Sequence, residues 1–431
     1  MPRKWFMNIC LIAIFAVLSA LYGFIAPTHA GPSGAVKAHW PGWRGVNRDG
    51  KSSDKGLLKS WPKGGPKLLW KVKGVGAGYS SVAVAGGLIF TSGQKTDDDI
   101  LFLTAITLDG KVKWSVKVGS GYTENQPGAR GTPTWDSGKV YLESGKGLVG
   151  CWDAKTGKQI WTRKLSEFDG KPGPWGYSES VLIVGNMLIV TPGGEKTCLV
   201  ALDKKTGKTI WKSKPFEEAN YTSPLYVEFE KIPMVVVGTA GGLFAVSAKT
   251  GKTFWVNQFS YGNTANVTTP VYANGLIYWS NGYGMGGICL KLKSDSKRIT
   301  ASEAWTTEDM SCQTGGYVVV DGHIYGYADN TGWTCLELTS GKKKWVSEDF
   351  GKGSICYADG MLYLYDEGDG SVALAPVSPK GLKITGRFRV DGDEQSWAHP
   401  VVTGGRLVLR YGDNLYLYDV KADQRSADNK K

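Results

Sequence analysis

CWDAKTGKQIW runs from Cys151 to Trp161, ALDKKTGKTIW from Ala201 to Trp211, AVSAKTGKTFW from Ala245 to Trp255 and CLELTSGKKKW from Cys335 to Trp345. Each is a short strand, a tight turn centred on glycine, and a second strand ending on tryptophan. Weaker copies end at Trp114 (LDGKVKW), Trp305 (ASEAW) and Phe388 (ITGRF), and an isolated one, GPKLLW, ends at Trp70. Eight aromatics therefore recur every 40 to 50 residues, which is the mark of a repeat architecture.

A second signature alternates with the first. A small or hydroxyl residue precedes an apolar one, a turn follows about five positions later, and an apolar strand resumes. It reads SVAVAGGLIF from Ser81, TPTWDSGKVY from Thr132, SVLIVGNMLI from Ser180, TPVYANGLIY from Thr269, GYVVVDGHIY from Gly316, SICYADGMLY from Ser354 and HPVVTGGRLV from His399. The copy from Ser223, SPLYVEFEKIPMVV, has a longer turn. Asn274-Gly275, Asp321-Gly322 and Asp359-Gly360 are strong hairpin turns, because a type I′ turn needs positive φ at both central residues. Each unit thus supplies four short antiparallel strands, the size of one propeller blade.

The expected fold is an all-β, eight-bladed β-propeller of four-stranded antiparallel blades over residues 66–420. The last hairpin runs to Val420 without a docking tryptophan of its own, and the strand around Trp70 can complete its blade. Pairing the N- and C-terminal segments in this way leaves no open sheet edge. Residues 31–65, with WPGWRGVNRDG, read as an arm packed on the ring, and 421–431 as a disordered tail.

Residues 1–30 carry Arg3 and Lys4, an apolar run from Ile9 to Ala26, and Thr28-His29-Ala30 with small residues where a signal peptidase would cut. This is a signal peptide or an uncleaved signal anchor, and either one places the rest in the periplasm or cell envelope. Any membrane contact is expected only through such an anchor. Cys10 stands at the start of the apolar run and not after it, so it is not a lipid-accepting cysteine. The formal charge is +12, but the lysines are scattered through turn motifs and not gathered on one run, so no nucleic-acid partner is expected.

With TGKxxW motifs in register, and with WPGWRGVNRDG, GARGTPTW, WGYSES, SNGYGMGG and KGSICYADG between them, the chain resembles the PQQ-binding-like, quinoprotein-type propeller repeat proteins. That family is related in fold to the propeller lipoprotein of the outer-membrane β-barrel assembly machine. The resemblance implies the eight-bladed ring and two possible functions. One is a non-catalytic scaffold for a protein, peptide or glycan of the cell envelope. The alternative is a PQQ-dependent oxidoreductase of the alcohol dehydrogenase kind, with the quinone held between a tryptophan and a ring formed by two adjacent cysteines, and calcium nearby.

The residues favour the scaffold. None of Cys151, Cys198, Cys289, Cys312, Cys335 and Cys356 is adjacent to another. Cys151 and Cys335 stand where Ala201 and Ala245 stand in sister repeats, a place for a small apolar group, and read as buried thiols. A Cys312–Cys356 bridge is a further option. The acidic runs Asp97-Asp98-Asp99 and Asp366-Glu367-Gly368-Asp369 lack a calcium-loop spacing. His39, His323 and His399 lie far apart, and GYSES lacks the strand-to-helix elbow of a serine hydrolase. No catalytic or metal residue is therefore assigned, and no cofactor is expected. Trp70, Trp114, Trp161, Trp211, Trp255, Trp305, Trp345 and Phe388 read as structural, docking one blade on the next. The partner site is expected where the inner strands begin, at the channel mouth, with Arg130, Trp175, Tyr177, Glu179, Gln313, Trp397 and His399 around it. Tyr79, Glu124, Gln126, Tyr221, Asn266 and Lys352 fall at neighbouring positions.

Overall fold

Both residues of each turn pair adopt left-handed backbone. In the computed structural model φ is 51° and 78° at Asn274-Gly275, 47° and 74° at Asp321-Gly322, and 49° and 79° at Asp359-Gly360. The structure describes residues 38–95, 99–260, 265–295, 297–329 and 331–422. The signal segment, most of the C-terminal tail and Asp97-Asp98 lie outside the described residues.

The turns connect strands into eight antiparallel sheets arranged as an eight-bladed propeller, blades 1 to 7 spanning 83–120, 134–164, 182–212, 225–257, 271–307, 317–347 and 353–389. Blade 5 is representative: Val271–Ala273, Leu276–Asn281, Gly286–Ser294 and Ile299–Thr307 pair in sequence order from the innermost strand outward. Blade 8 is composite. Val401–Thr403, Arg406–Tyr411 and Asn414–Asp419 come from the end of the ring, and Lys67–Lys73 from its beginning supplies the outer strand. The closure read from the orphan Trp70 motif is thus present, with Trp70 opposite Leu417.

The docking motif has a geometric explanation. Trp161 faces Cys151 across the strand pair, Trp211 faces Ala201, Trp255 faces Ala245 and Trp345 faces Cys335, each beside a bulge that turns the indole out of the sheet. A large residue opposite a bulky one would not fit there, so Ala and Cys exchange freely. The rings of Trp70, Trp114, Trp161, Trp211 and Trp305 each lie on the glycine of the next blade's turn. A Cβ at Gly251, where φ is 70°, would stand 2.5 Å from the Trp211 ring, and one at Gly207 2.8 Å from that of Trp161. The indole N–H then donates to that turn, from Trp161 to Lys204 O at 3.0 Å and from Trp211 to Ala248 O at 3.1 Å. Phe388 meets Gly65 in the same way, which carries the docking across the ring closure.

Trp255 is the exception: its buried indole nitrogen has no partner among the described residues, because blade 5 has lost the TGK turn that would supply one. Burial is also uneven. Trp161, Trp211 and Trp255 are buried, whereas Trp70, Trp114, Trp305, Trp345 and Phe388 are half-buried. All six described cysteines are free and buried, so Cys312 and Cys356 form no bridge. Among the described residues no helix is long and apolar enough to cross a membrane.

Candidate functional site

The arm does more than lie on the ring. Trp40 exchanges backbone hydrogen bonds of 2.7 Å with Val84 of the blade 1 inner strand, and Pro41 O accepts from Trp135 N of blade 2. The chain then turns inward. Trp43 donates its indole N–H to Thr269 Oγ1 of blade 5 at 2.8 Å, and Arg44 donates to Tyr317 O of blade 6. Arg48 donates to Ser180 O and, at 2.9 Å, to Val181 O of blade 3. Finally Lys51–Ser52 pairs parallel to the inner strand of blade 7. Two buried arginines thus satisfy carbonyls that the inner strands would otherwise leave unpaired along the axis. The arm fills the channel from the turn side, with Trp43 reaching farthest toward the mouth.

Above Trp43 lies a half-open cavity of about 340 Å³. Its walls are aromatic: Trp43, Tyr79, Trp175, Tyr221, Tyr283 and Trp397, with Gln126, Arg130, Ser178, Gln313 and Thr314 between them. Tyr79 and Trp397 pack at a tilt of 40° with ring centres 4.5 Å apart, and Trp175 and Tyr221 meet edge to face at 5.7 Å. Arg130 lies 4.5 Å over the Tyr122 ring and donates to Asn125 O, Gln126 O and Gly128 O, so its own loop holds it. Gln313 donates to Tyr283 Oη at 2.8 Å and accepts from Lys352 Nζ at 2.6 Å. Lys352 is also paired with Asp329 and Glu367, at 3.2 and 3.3 Å.

Of the residues expected at the mouth, Arg130, Trp175, Gln313 and Trp397 line this cavity, as do Tyr79, Gln126 and Tyr221. Three do not. Tyr177 is buried and donates to Pro192 O at 3.0 Å, so it packs between blades. Glu179 is buried beneath the mouth beside Glu143, and among the described residues neither Glu143 oxygen has a hydrogen-bond partner. Burial pushes Glu179 up to about 8, with Thr191 and the Arg48 guanidinium pulling it back, and burial beside Glu179 raises Glu143 well above the carboxylate range. His399 is buried under Trp43 and Arg44, 3.4 Å from an Arg44 nitrogen and 3.2 Å from Thr314 O, and burial lowers it to about 3. Of the neighbouring positions, Asn266 is buried and Glu124 is exposed and paired with Lys146.

Trp43 and Tyr283 are the wall residues that the repeat register does not reveal. Trp43 comes from outside the repeats, and Tyr283 from a turn between second and third strands. Among the described residues no group of three or more His, Cys, Asp or Glu is placed to hold a metal ion.

Comparison with known proteins places this geometry in a family. The chain is 27% identical to the outer membrane protein assembly factor BamB of Yersinia pestis, over 72% of this chain and 78% of that protein. It is 25% identical to the quinoprotein ethanol dehydrogenase of Pseudomonas aeruginosa, over 54% of this chain but 41% of the dehydrogenase. Among solved structures, BamB from Moraxella catarrhalis superposes with a TM-score of 0.60 at 15% identity, covering 82% of this chain and 99% of that one. The quinohemoprotein alcohol dehydrogenase of Comamonas testosteroni gives 0.64 at 14% identity, covering 91% and 82%. At such identities the structural likeness speaks for the fold alone. The family model described as outer membrane protein assembly factor BamB matches residues 103–347, more than half of the chain, and the protein belongs to that family of PQQ-type β-propellers.

Proposed function

We propose that the protein is an exported cell-envelope scaffold that holds a protein, peptide or glycan at the aromatic mouth and performs no catalysis. The observation that carries this reading is the cavity itself: five aromatic walls, amides and hydroxyls between them, and a floor sealed by Trp43. Aromatic faces bury large area at little conformational cost and accept side chains or sugar rings alike, while the amides fix orientation. The similarity to BamB proteins supports a partner in envelope assembly and an envelope location.

What speaks against a quinone here is the donor set. No Asp or Glu is among the described residues lining the cavity, so calcium would find no carboxylate. The cations nearby are already committed, Arg130 to three carbonyls and Lys352 to two acids and an amide. The six cysteines are buried and none is adjacent to another. The residues present do not fit PQQ with calcium.

Two experiments test the reading. Purified protein incubated with PQQ and calcium should develop neither a bound quinone absorbance band nor alcohol-dependent dye reduction; either would replace the scaffold with an oxidoreductase. Affinity capture from envelope extracts should recover a partner with the wild type and lose it with the Trp175→Ala/Trp397→Ala variant. Undiminished capture by that variant would move the site away from the mouth.

A further inference from the structure

The net positive charge is not spread evenly over the ring. In each blade the turn between first and second strands and the turn between third and fourth lie on one face. Backbone hydrogen bonds join them, from Ala154 N to Gly138 O in blade 2, Ala248 N to Pro233 O in blade 4 and Leu338 N to Gly322 O in blade 6. The repeated TGK turns therefore set lysines at one height around the ring. Lys155, Lys158, Lys205, Lys208, Lys249 and Lys252 are all exposed. None of the six is in an ion pair among the described residues. The mouth face is the opposite: acids such as Glu124, Glu217, Glu308, Glu367 and Glu394 stand on its loops.

One cluster of lysines lies between blades 4 and 5. There Lys231, Lys249, Lys252 and Lys297 converge on a hollow of about 320 Å³ floored by Ile232, Pro233 and Phe254. The acids beside it are turned to other work. Glu230 accepts from the Ser294 hydroxyl, and Asp295 accepts from the amides of Lys297 and Arg298 at 3.2 and 2.8 Å. The backbone is also strained toward this arrangement, for Glu230 and Lys231 sit at φ 48° and 65° in a turn where sister blades place Asn-Gly or Asp-Gly. Four lysines with no ion pair among the described residues, beside the apolar Ile232, Pro233 and Phe254, suit a phosphate group.

We propose that the turn face is a membrane-facing surface, which lies against anionic phospholipid headgroups and seats one headgroup phosphate in the four-lysine hollow. A bilayer is favoured over a small soluble phosphate because the lysines continue beyond the hollow into blades 2 and 3, and only an extended anionic plane engages them together. Docked in this way, the ring turns its mouth toward the aqueous side, where a partner can enter. The inference is independent of what the mouth binds.

The test is co-sedimentation with vesicles. The protein should pellet with mixed phosphatidylglycerol–phosphatidylcholine vesicles and not with pure phosphatidylcholine. Salt should release it, since the screening length falls from about 10 Å at 0.1 M to about 3 Å at 1 M. Each lysine at an anionic surface is worth roughly fivefold in partitioning. The fourfold variant Lys231→Glu/Lys249→Glu/Lys252→Glu/Lys297→Glu should therefore lose at least about a hundredfold, and Lys→Gln at the same sites should lose less, both with unchanged melting temperature. Equal partitioning of the wild type and the fourfold Glu variant would overturn the proposal. Saturable binding of inorganic phosphate at the hollow without any binding to anionic vesicles would also overturn it, by showing a soluble phosphate ligand instead of a membrane.

Discussion

The two ends of the propeller axis are built on opposite principles. At the turn end the same contact recurs around the ring: an indole or phenyl ring on a glycine at positive φ, with a nitrogen donating to the next blade wherever a TGK-like turn supplies a carbonyl. At the mouth end the residues vary from blade to blade, with Tyr79, Arg130, Trp175, Tyr221, Gln313 and Trp397 contributed by different blades. Repetition marks what every blade needs for stability. Difference marks what only the assembled ring can present, an asymmetric pocket on a nearly symmetric scaffold.

The sharpest way to break this division is at a docking ring. Trp211→Ala should cost about 3–5 kcal/mol in denaturant unfolding, as large core truncations do. Trp305→Ala, at a half-buried ring, should cost less. A melt of Trp211→Ala indistinguishable from wild type would remove the structural role given to the repeats.

The glycine beneath that ring comes next. Gly251→Ala places a methyl 2.5 Å from the Trp211 ring at a φ of 70°, and should cost about 1–3 kcal/mol by overpacking and backbone strain. In a double-mutant cycle with Trp211→Ala the two losses should fall short of additive, because one contact is removed twice.

Between the two ends lies the buried Glu143–Glu179 pair. Glu179 has a folded pKa of about 8, above the unfolded value near 4.3, so the folded state binds more protons in that interval. Its contribution is present below about pH 4.3 and is lost as pH rises through 8. His399, lowered to about 3, acts in the other direction, its contribution being present above about 6.5 and lost as pH falls toward 3. Glu179→Gln should therefore flatten the decline in melting temperature between pH 6 and 8 and leave the acid limb in place. An unchanged alkaline slope in that variant would mean that the carboxyl is not buried protonated.

The smallest effect on stability belongs to the mouth. Trp175→Ala and Gln126→Ala should each shift unfolding by about 1 kcal/mol or less, because Trp175 is half-buried and Gln126 exposed, both on loops. Their effect should appear in binding instead. A loss comparable with that of Trp211→Ala would merge the two classes of residue that the comparison separates.

The sequence shows the ring clearly because each blade is a local pattern of turns, alternating strands and one docking aromatic. The match of Cys151 and Cys335 to Ala201 and Ala245 even locates the residue facing each tryptophan. The site is legible only to within one residue. Consecutive side chains of an extended segment point to opposite sides, so Ser178 faces the cavity while Tyr177 and Glu179 turn into the protein. Because Glu179 is buried, charge reversal there would test folding, not recognition. Trp43 escaped for a different reason. Its place depends on insertion of the arm, a contact between residues 226 apart that no local pattern records.

The most direct test of the division is site-specific photo-cross-linking in cells. Benzoylphenylalanine would be placed at Trp175 or Tyr283 on the mouth, and at Lys205 or Lys252 on the turn face. Protein or glycan adducts from the mouth positions, and none from the turn positions, are the result expected. Adducts from Lys205 or Lys252 with none from Trp175 or Tyr283 would contradict it, and would make the repeated face the one that recognises a partner.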